Sequence, residues 1–176
     1  AGIVSFYRML DAEARYPDGW SWTGGTARVL ADGAVEALWP ADAAHPFDLR
    51  AVYRWSSPAA LDVETTVTAR RDLRRLEVFM ASYFNGFDTS RVWAKEAGKP
   101  AAFVEADPAS GVWQAFPRDE AAVAIVRDGR WTRPPNPVDW AIRLSLAAPL
   151  GMRRDAATGL TALVMARPQD CFAVLT

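Results

Sequence analysis

Leu49-Arg50-Ala51-Val52-Tyr53-Arg54-Trp55, an interruption from Ser56 to Ala60, then Leu61-Asp62-Val63-Glu64-Thr65-Thr66-Val67-Thr68 are two runs that alternate with period two. Leu49, Ala51, Tyr53 and Trp55 share one face of the first run; Leu61, Val63, Thr65 and Val67 share one face of the second. Successive side chains of a strand point to opposite sides of the sheet, so this period belongs to a strand and not to a helix. One side is largely apolar, and the other is polar and rich in β-branched residues. The pair therefore reads as a half-solvated antiparallel hairpin joined over Ser56 to Ala60.

Weaker versions of the pattern extend outward. Thr26 to Leu30 and Ala34 to Trp39 flank Ala31-Asp32-Gly33, a hairpin turn of the Asp-Gly kind. Leu76 to Phe84 is apolar on both faces and reads as a central strand. Ser90 to Ala94, Gly111 to Phe116, Val138 to Leu144, Leu160 to Ala166 and Cys171 to Leu175 read as further strands, with a turn at Asp155 to Gly159. Asp119 is placed to cap a short helix ending near Arg127; a strand over Ala122 to Arg127 is the rival, and the alanine content favours the helix. About ten strands between Pro, Gly and Asp turns predict an all-β antiparallel β-sandwich over 1–176 as a single domain, with one short helix. Its expected core includes Leu61, Val63, Val67, Val78, Met80 and Leu163.

The 176 residues are 51% hydrophobic and 23% charged, with a net charge of -1. Such a chain buries enough surface to fold without a disulfide or metal staple. Near-neutral charge is not the footprint of a nucleic-acid binder, and no apolar run approaches the roughly 18 residues of a membrane span. One cysteine, Cys171, forms neither an intramolecular disulfide nor a common zinc site, and reads as a buried inert thiol. The opening Ala1-Gly2-Ile3 fits a tag remnant or a removed signal peptide equally. The compartment stays open between cytoplasm and periplasm or secretion, for a soluble protein.

For chemistry, the single His45 lies in Asp42-Ala43-Ala44-His45-Pro46-Phe47, a loop by composition, and reads as solvated. One His, one Cys and no calcium-loop pattern make a metal site unexpected, and the absence of phosphate and dinucleotide motifs makes a cofactor unexpected. Glu77 sits in an apolar strand, where a buried ionised group costs several kcal/mol unless paired, so it should meet an arginine or face a cleft. Asp62 and Glu64 share the polar face of their strand and would line a groove if that face were concave. Eight tryptophans, among them Trp20, Trp22, Trp93, Trp113, Trp131 and Trp140 in or beside turns, raise the prospect of sugar stacking.

Leu76-Glu77-Val78-Phe79-Met80-Ala81-Ser82-Tyr83-Phe84-Asn85-Gly86-Phe87, preceded by Tyr53-Arg54-Trp55 and Leu61 to Val67, resembles the galactose mutarotase-like (aldose 1-epimerase-related) superfamily, in particular its uncharacterised bacterial branch. The likeness covers roughly residues 25 to 95. It implies a large antiparallel sandwich, whole or partial, that handles sugars on a concave sheet face, with Glu77, Tyr83 and Asn85 lining the groove. Where an epimerase histidine precedes the Tyr-Phe-Asn string, this chain has Ala81 and Ser82, and a second histidine and a late glutamate have no counterpart.

The function expected is carbohydrate binding at Glu64, Glu77, Tyr83, Asn85 and Trp93, with catalytic residues unassigned. The alternatives are a sugar-active enzyme (epimerase, glycosidase or lyase) using carboxylates on a concave sheet face, and an interaction module whose tryptophans are core. The apolar Ala173-Val174-Leu175 end reads as an open sheet edge, to be closed by a homodimer or by further chain.

Overall fold

The computed structural model describes residues 3–19 and 21–176; Ala1, Gly2 and Trp20 lie outside the described residues. Among the described residues the chain is mostly β, with one short α-helix and several antiparallel sheets, an all-β, sandwich-like architecture. Its contacts group into two compact units, Ala1–Ser82 and Tyr83–Thr176. Among the described residues no helix is long and apolar enough to cross a membrane.

The N-terminal unit contains β1 (Ser5–Leu10), β2 (Arg15–Tyr16), β3 (Thr26–Val29), β4 (Val35–Trp39), β5 (Phe47–Ser57), β6 (Ala60–Ala69) and β7 (Glu77–Ala81). They form two antiparallel sheets, ordered β2-β1-β7 and β3-β4-β5-β6. The β5–β6 register sets Leu49 opposite Val67, Ala51 opposite Thr65 and Tyr53 opposite Val63, so the expected apolar faces coincide. Leu49, Ala51 and Phe47 from this sheet pack with Phe6, Met9 and Tyr16 from the other, and Trp22 closes the cluster. That is the sandwich core of the unit.

The far end of the hairpin departs from the expected burial. Leu61 and Val63 are half-buried, and Trp55 is 69% exposed. β5 has 11 residues whereas the longest strand of the opposing sheet, β1, has six, so the hairpin outruns what its unit can lay against it. Val67 and Val78 pack beside the core as half-buried residues. Met80 is 40% exposed, because its strand is not central. β7 spans five residues instead of the expected nine and is an edge of its sheet.

The C-terminal unit contains β8 (Thr89–Lys95), β9 (Ala102–Glu105), β10 (Gln114–Pro117), α1 (Glu120–Val126), β11 (Ala141–Ile142), β12 (Ser145–Arg154), β13 (Thr161–Met165) and β14 (Ala173–Leu175). One sheet is ordered β13-β12-β8-β9 and the other β11-β10-β14, where β10 and β11 run parallel. Val92, Ala94, Phe116 and Leu146 form the core, with Val104, Leu144 and Val174 against it. Leu163, expected inside, is 53% exposed because β13 is an edge strand and its side chain points away from this core. The helix forms as expected: Asp119 Oδ1 accepts from the Ala122 N–H at 2.9 Å, satisfying a donor that the first turn leaves open.

The last strand is not open on both sides. β14 pairs with β10, and Thr176 exchanges two backbone hydrogen bonds with Gln114 at 2.8 and 2.9 Å. Cys171 is half-buried, its thiol donates to the Ala173 carbonyl oxygen at 3.3 Å, and burial pushes its pKa up. It is a poor nucleophile there.

Candidate functional site

The five residues expected to line a sugar groove do not assemble one within either unit. Glu64 lies opposite Val52 on β6, exposed, on the face turned away from the core of the N-terminal unit. Glu77 lies opposite Leu10 in the other sheet and is only 5% exposed. The β1–β7 register makes Arg8 its diagonal neighbour on the same face, which is where a buried carboxylate calls for a cation. Arg74, the neighbour in sequence, pairs with Glu13 instead. In the C-terminal unit, Tyr83 is half-exposed and Asn85 is exposed, in the turn before Gly86. Trp93 is half-buried on the outer face of β8, edge-on to Phe103 with centroids 5.0 Å apart.

His45 is not a solvated loop residue. It is 1% exposed and stacked on Trp22, with centroids 3.9 Å apart and planes 8° from parallel. Its Nδ1 lies 2.9 Å from Asp42 Oδ1 and its Nε2 3.1 Å from the Pro17 carbonyl oxygen. Both ring nitrogens are therefore committed to holding loops together, and neither can serve a substrate. Composition misled here because loop residues that carry no apolar pattern can still be covered by a distant aromatic.

The most site-like geometry lies after α1, in the C-terminal unit. Gly129, at φ +89, ends the helix region and starts a short 3₁₀ turn over Arg130–Thr132. Arg130, fully buried, is gripped by Asp128 through Nε at 3.0 Å and Nη2 at 2.8 Å. Burial alone would raise the Asp128 carboxyl, but the bonds from Arg130 outweigh it and hold the group below the usual carboxylate range. The Val138 N–H then donates to the Trp131 carbonyl oxygen at 2.9 Å, closing the proline-rich segment into a loop.

That loop brings three indoles into a chain. Trp131, 2% exposed, stands edge-on to Trp140 at 5.1 Å, and Trp140 stands edge-on to Trp113 at 6.1 Å. Beside Trp140 is a depression of about 360 Å³ lined by Val126, Arg127, Gly129, Thr132, Val138, Asp139 and Trp140. Its wall combines an indole, two valines, a guanidinium, a carboxylate and a hydroxyl. Thr132 Oγ1 donates to the Gly129 carbonyl oxygen at 2.9 Å. The buried Trp140 Nε1–H has no acceptor among the described residues. That nitrogen has almost no accessible surface, so it is not part of the wall that the hollow presents to solvent.

Of these lining residues only Trp140 carries a binding expectation from the sequence; Arg127, Val138 and Asp139 figure there only as parts of a helix and a strand. The available signal was three tryptophans, at 113, 131 and 140, flanking a proline-rich connector. Among the described residues no three His, Cys, Asp or Glu side chains gather as a metal site would require. No family model, curated protein or solved structure matches the chain.

Proposed function

We propose that this protein binds carbohydrate, without transforming it, in the depression beside Trp140. The observation that carries the reading is the Trp140 residue on the wall of an open hollow that it shares with Arg127, Asp139 and Thr132. A sugar presents an apolar C–H face to an indole and hydroxyls to the polar groups around it. Arg127 donates, Asp139 accepts and the Thr132 hydroxyl oxygen accepts, which suits a ligand dense in hydroxyls better than a hydrocarbon. The volume of about 360 Å³ is at the small end of ligand sites and fits one or two sugar rings. Binding without turnover is favoured because the lining holds one carboxylate, Asp139, whereas glycoside hydrolysis generally takes two. The only histidine is enclosed elsewhere.

A glycan array followed by titration of intrinsic tryptophan fluorescence tests this. The expected result is a saturable emission change with a defined glycan class. Trp140→Ala should abolish it. Trp140→Phe, which keeps a smaller stacking face, should weaken binding without abolishing it. No response to any glycan, or an unaltered affinity in Trp140→Ala, overturns the reading.

A further inference from the structure

We infer that two copies of this chain pair antiparallel along β13, about a two-fold axis through Leu163, joining their four-stranded sheets into one of eight strands. β13 is an edge strand, and an edge exposes a row of unmade backbone donors and acceptors. Proteins blunt such edges with charge, proline or brevity. Here β3 carries Arg28, β6 carries Asp62 and Glu64, β7 carries Glu77 and β9 carries Glu105, while the other edge strands have two or three residues. From Leu160 to Ala166 there is no charge and no proline. Leu160, Leu163, Val164 and Met165 are 61%, 53%, 50% and 71% exposed, so both faces of this edge are apolar.

The register of this edge is self-complementary, which fits a second copy as its occupant. Asp155 N–H donates to the Leu160 carbonyl oxygen, and Ala166 N–H donates to that of Pro149, so even-numbered residues of this stretch turn their backbone groups toward β12. Thr161, Leu163 and Met165 therefore turn theirs outward. Antiparallel pairing centred on Leu163 sets Leu163 against Leu163, and Thr161 against Met165 on either side. Every outward N–H and C=O then finds a partner, and Leu163 and Met165 cover one another across the axis. No like charges are opposed. At each end, Arg167 of one copy comes beside the Asp155–Gly159 turn of the other, where hydrogen bonding from Thr158 keeps Asp155 ionised below the usual carboxylate range. Arg167 already holds Asp170 of its own chain at 2.6 Å, so the pairing is complementary in hydrogen bonds and in apolar side chains and sets no like charges against each other.

Sedimentation velocity over a concentration series reads the pairing directly. The expected result is a monomer–dimer equilibrium, which Leu163→Lys weakens at least about tenfold by setting two ammonium groups face to face. A second measurement maps the axis. In a Cys171→Ala background, Leu163→Cys should form a disulfide-linked dimer on mild oxidation, because residues opposed in a hydrogen-bonded pair lie about 5.5 Å apart at Cα, within disulfide reach. Val164→Cys should not, because its copies would be offset along the strands. A monomer at every concentration, a dimer indifferent to Leu163→Lys, or cross-linking at 164 in place of 163 overturns the inference.

Discussion

Removing the carboxylate of Asp11 should destabilise the protein by about 3 kcal/mol, and the structure shows where that figure comes from. Asp11 is fully buried between β1 and β2. Its Oδ1 accepts from the N–H groups of Glu13 and Ala14 at 2.7 and 2.6 Å, shaping the turn between the strands. Its Oδ2 accepts from the Tyr16 hydroxyl at 2.6 Å, and Arg71 approaches to 4.0 Å. In Asp11→Ala the Tyr16 hydroxyl, on a residue only 5% exposed, loses its acceptor, which costs about 1 to 3 kcal/mol. The Glu13 N–H can turn to water because Glu13 is exposed, so the turn adds about 1 kcal/mol and not the full value of two charged hydrogen bonds. Urea unfolding followed by circular dichroism measures the sum. Tyr16→Phe and the double variant complete a cycle in which the coupling should be about 1 to 2 kcal/mol. The pH dependence follows from the same contacts. Burial by itself would raise the Asp11 carboxyl, but the Tyr16 hydroxyl, the two N–H groups and Arg71 together bring it below the ordinary carboxylate range. A group whose pKa is lower folded than unfolded stabilises the fold above its unfolded pKa and loses that contribution as pH falls. The stability of the wild type should therefore decline below about pH 4, and Asp11→Asn should lack that part of the decline. A loss under about 1 kcal/mol in Asp11→Ala, or identical acid limbs for wild type and Asp11→Asn, would refute the reasoning.

His45→Ala removes the ring stacked on Trp22 and both of its hydrogen bonds, and should lower stability by about 2 to 4 kcal/mol in the same urea assay. If His45 were a surface residue the loss would stay within about 0.5 kcal/mol. Asp119→Ala removes the N-cap of α1 and should cost about 1 kcal/mol. Because α1 leads into the Trp140 loop, amide exchange in 120–132 should quicken in that variant, and unchanged protection there would count against the cap.

Local features were legible in the chain because local physics writes them. Alternation from Leu49 to Trp55 and from Leu61 to Thr68 specifies strands, since the pleat itself has period two. The Asp32-Gly33 turn forms with Gly33 at φ +83, where a side chain would be strained. Asp119 caps its helix within three residues of itself. Strands β1 and β9 escaped notice because Ser5–Leu10 and Ala102–Glu105 show no clean alternation; a bulge interrupts the first between Phe6 and Arg8.

By itself, then, the sequence determined strands, turns, one helix and the all-β class, each a matter of neighbours along the chain. Which strands would be edges was decided only by the tertiary structure, and with it the exposure of Met80 and Leu163 on strands whose apolar content alone predicts burial. The same holds for His45, whose burial depends on Trp22 from 23 residues earlier in the chain. It holds most for Trp140, which gains its meaning from Trp113, Trp131 and α1. Pattern along a chain records which side of an element is apolar; what comes to cover that side is set by the pairing of distant strands, and no local period encodes it.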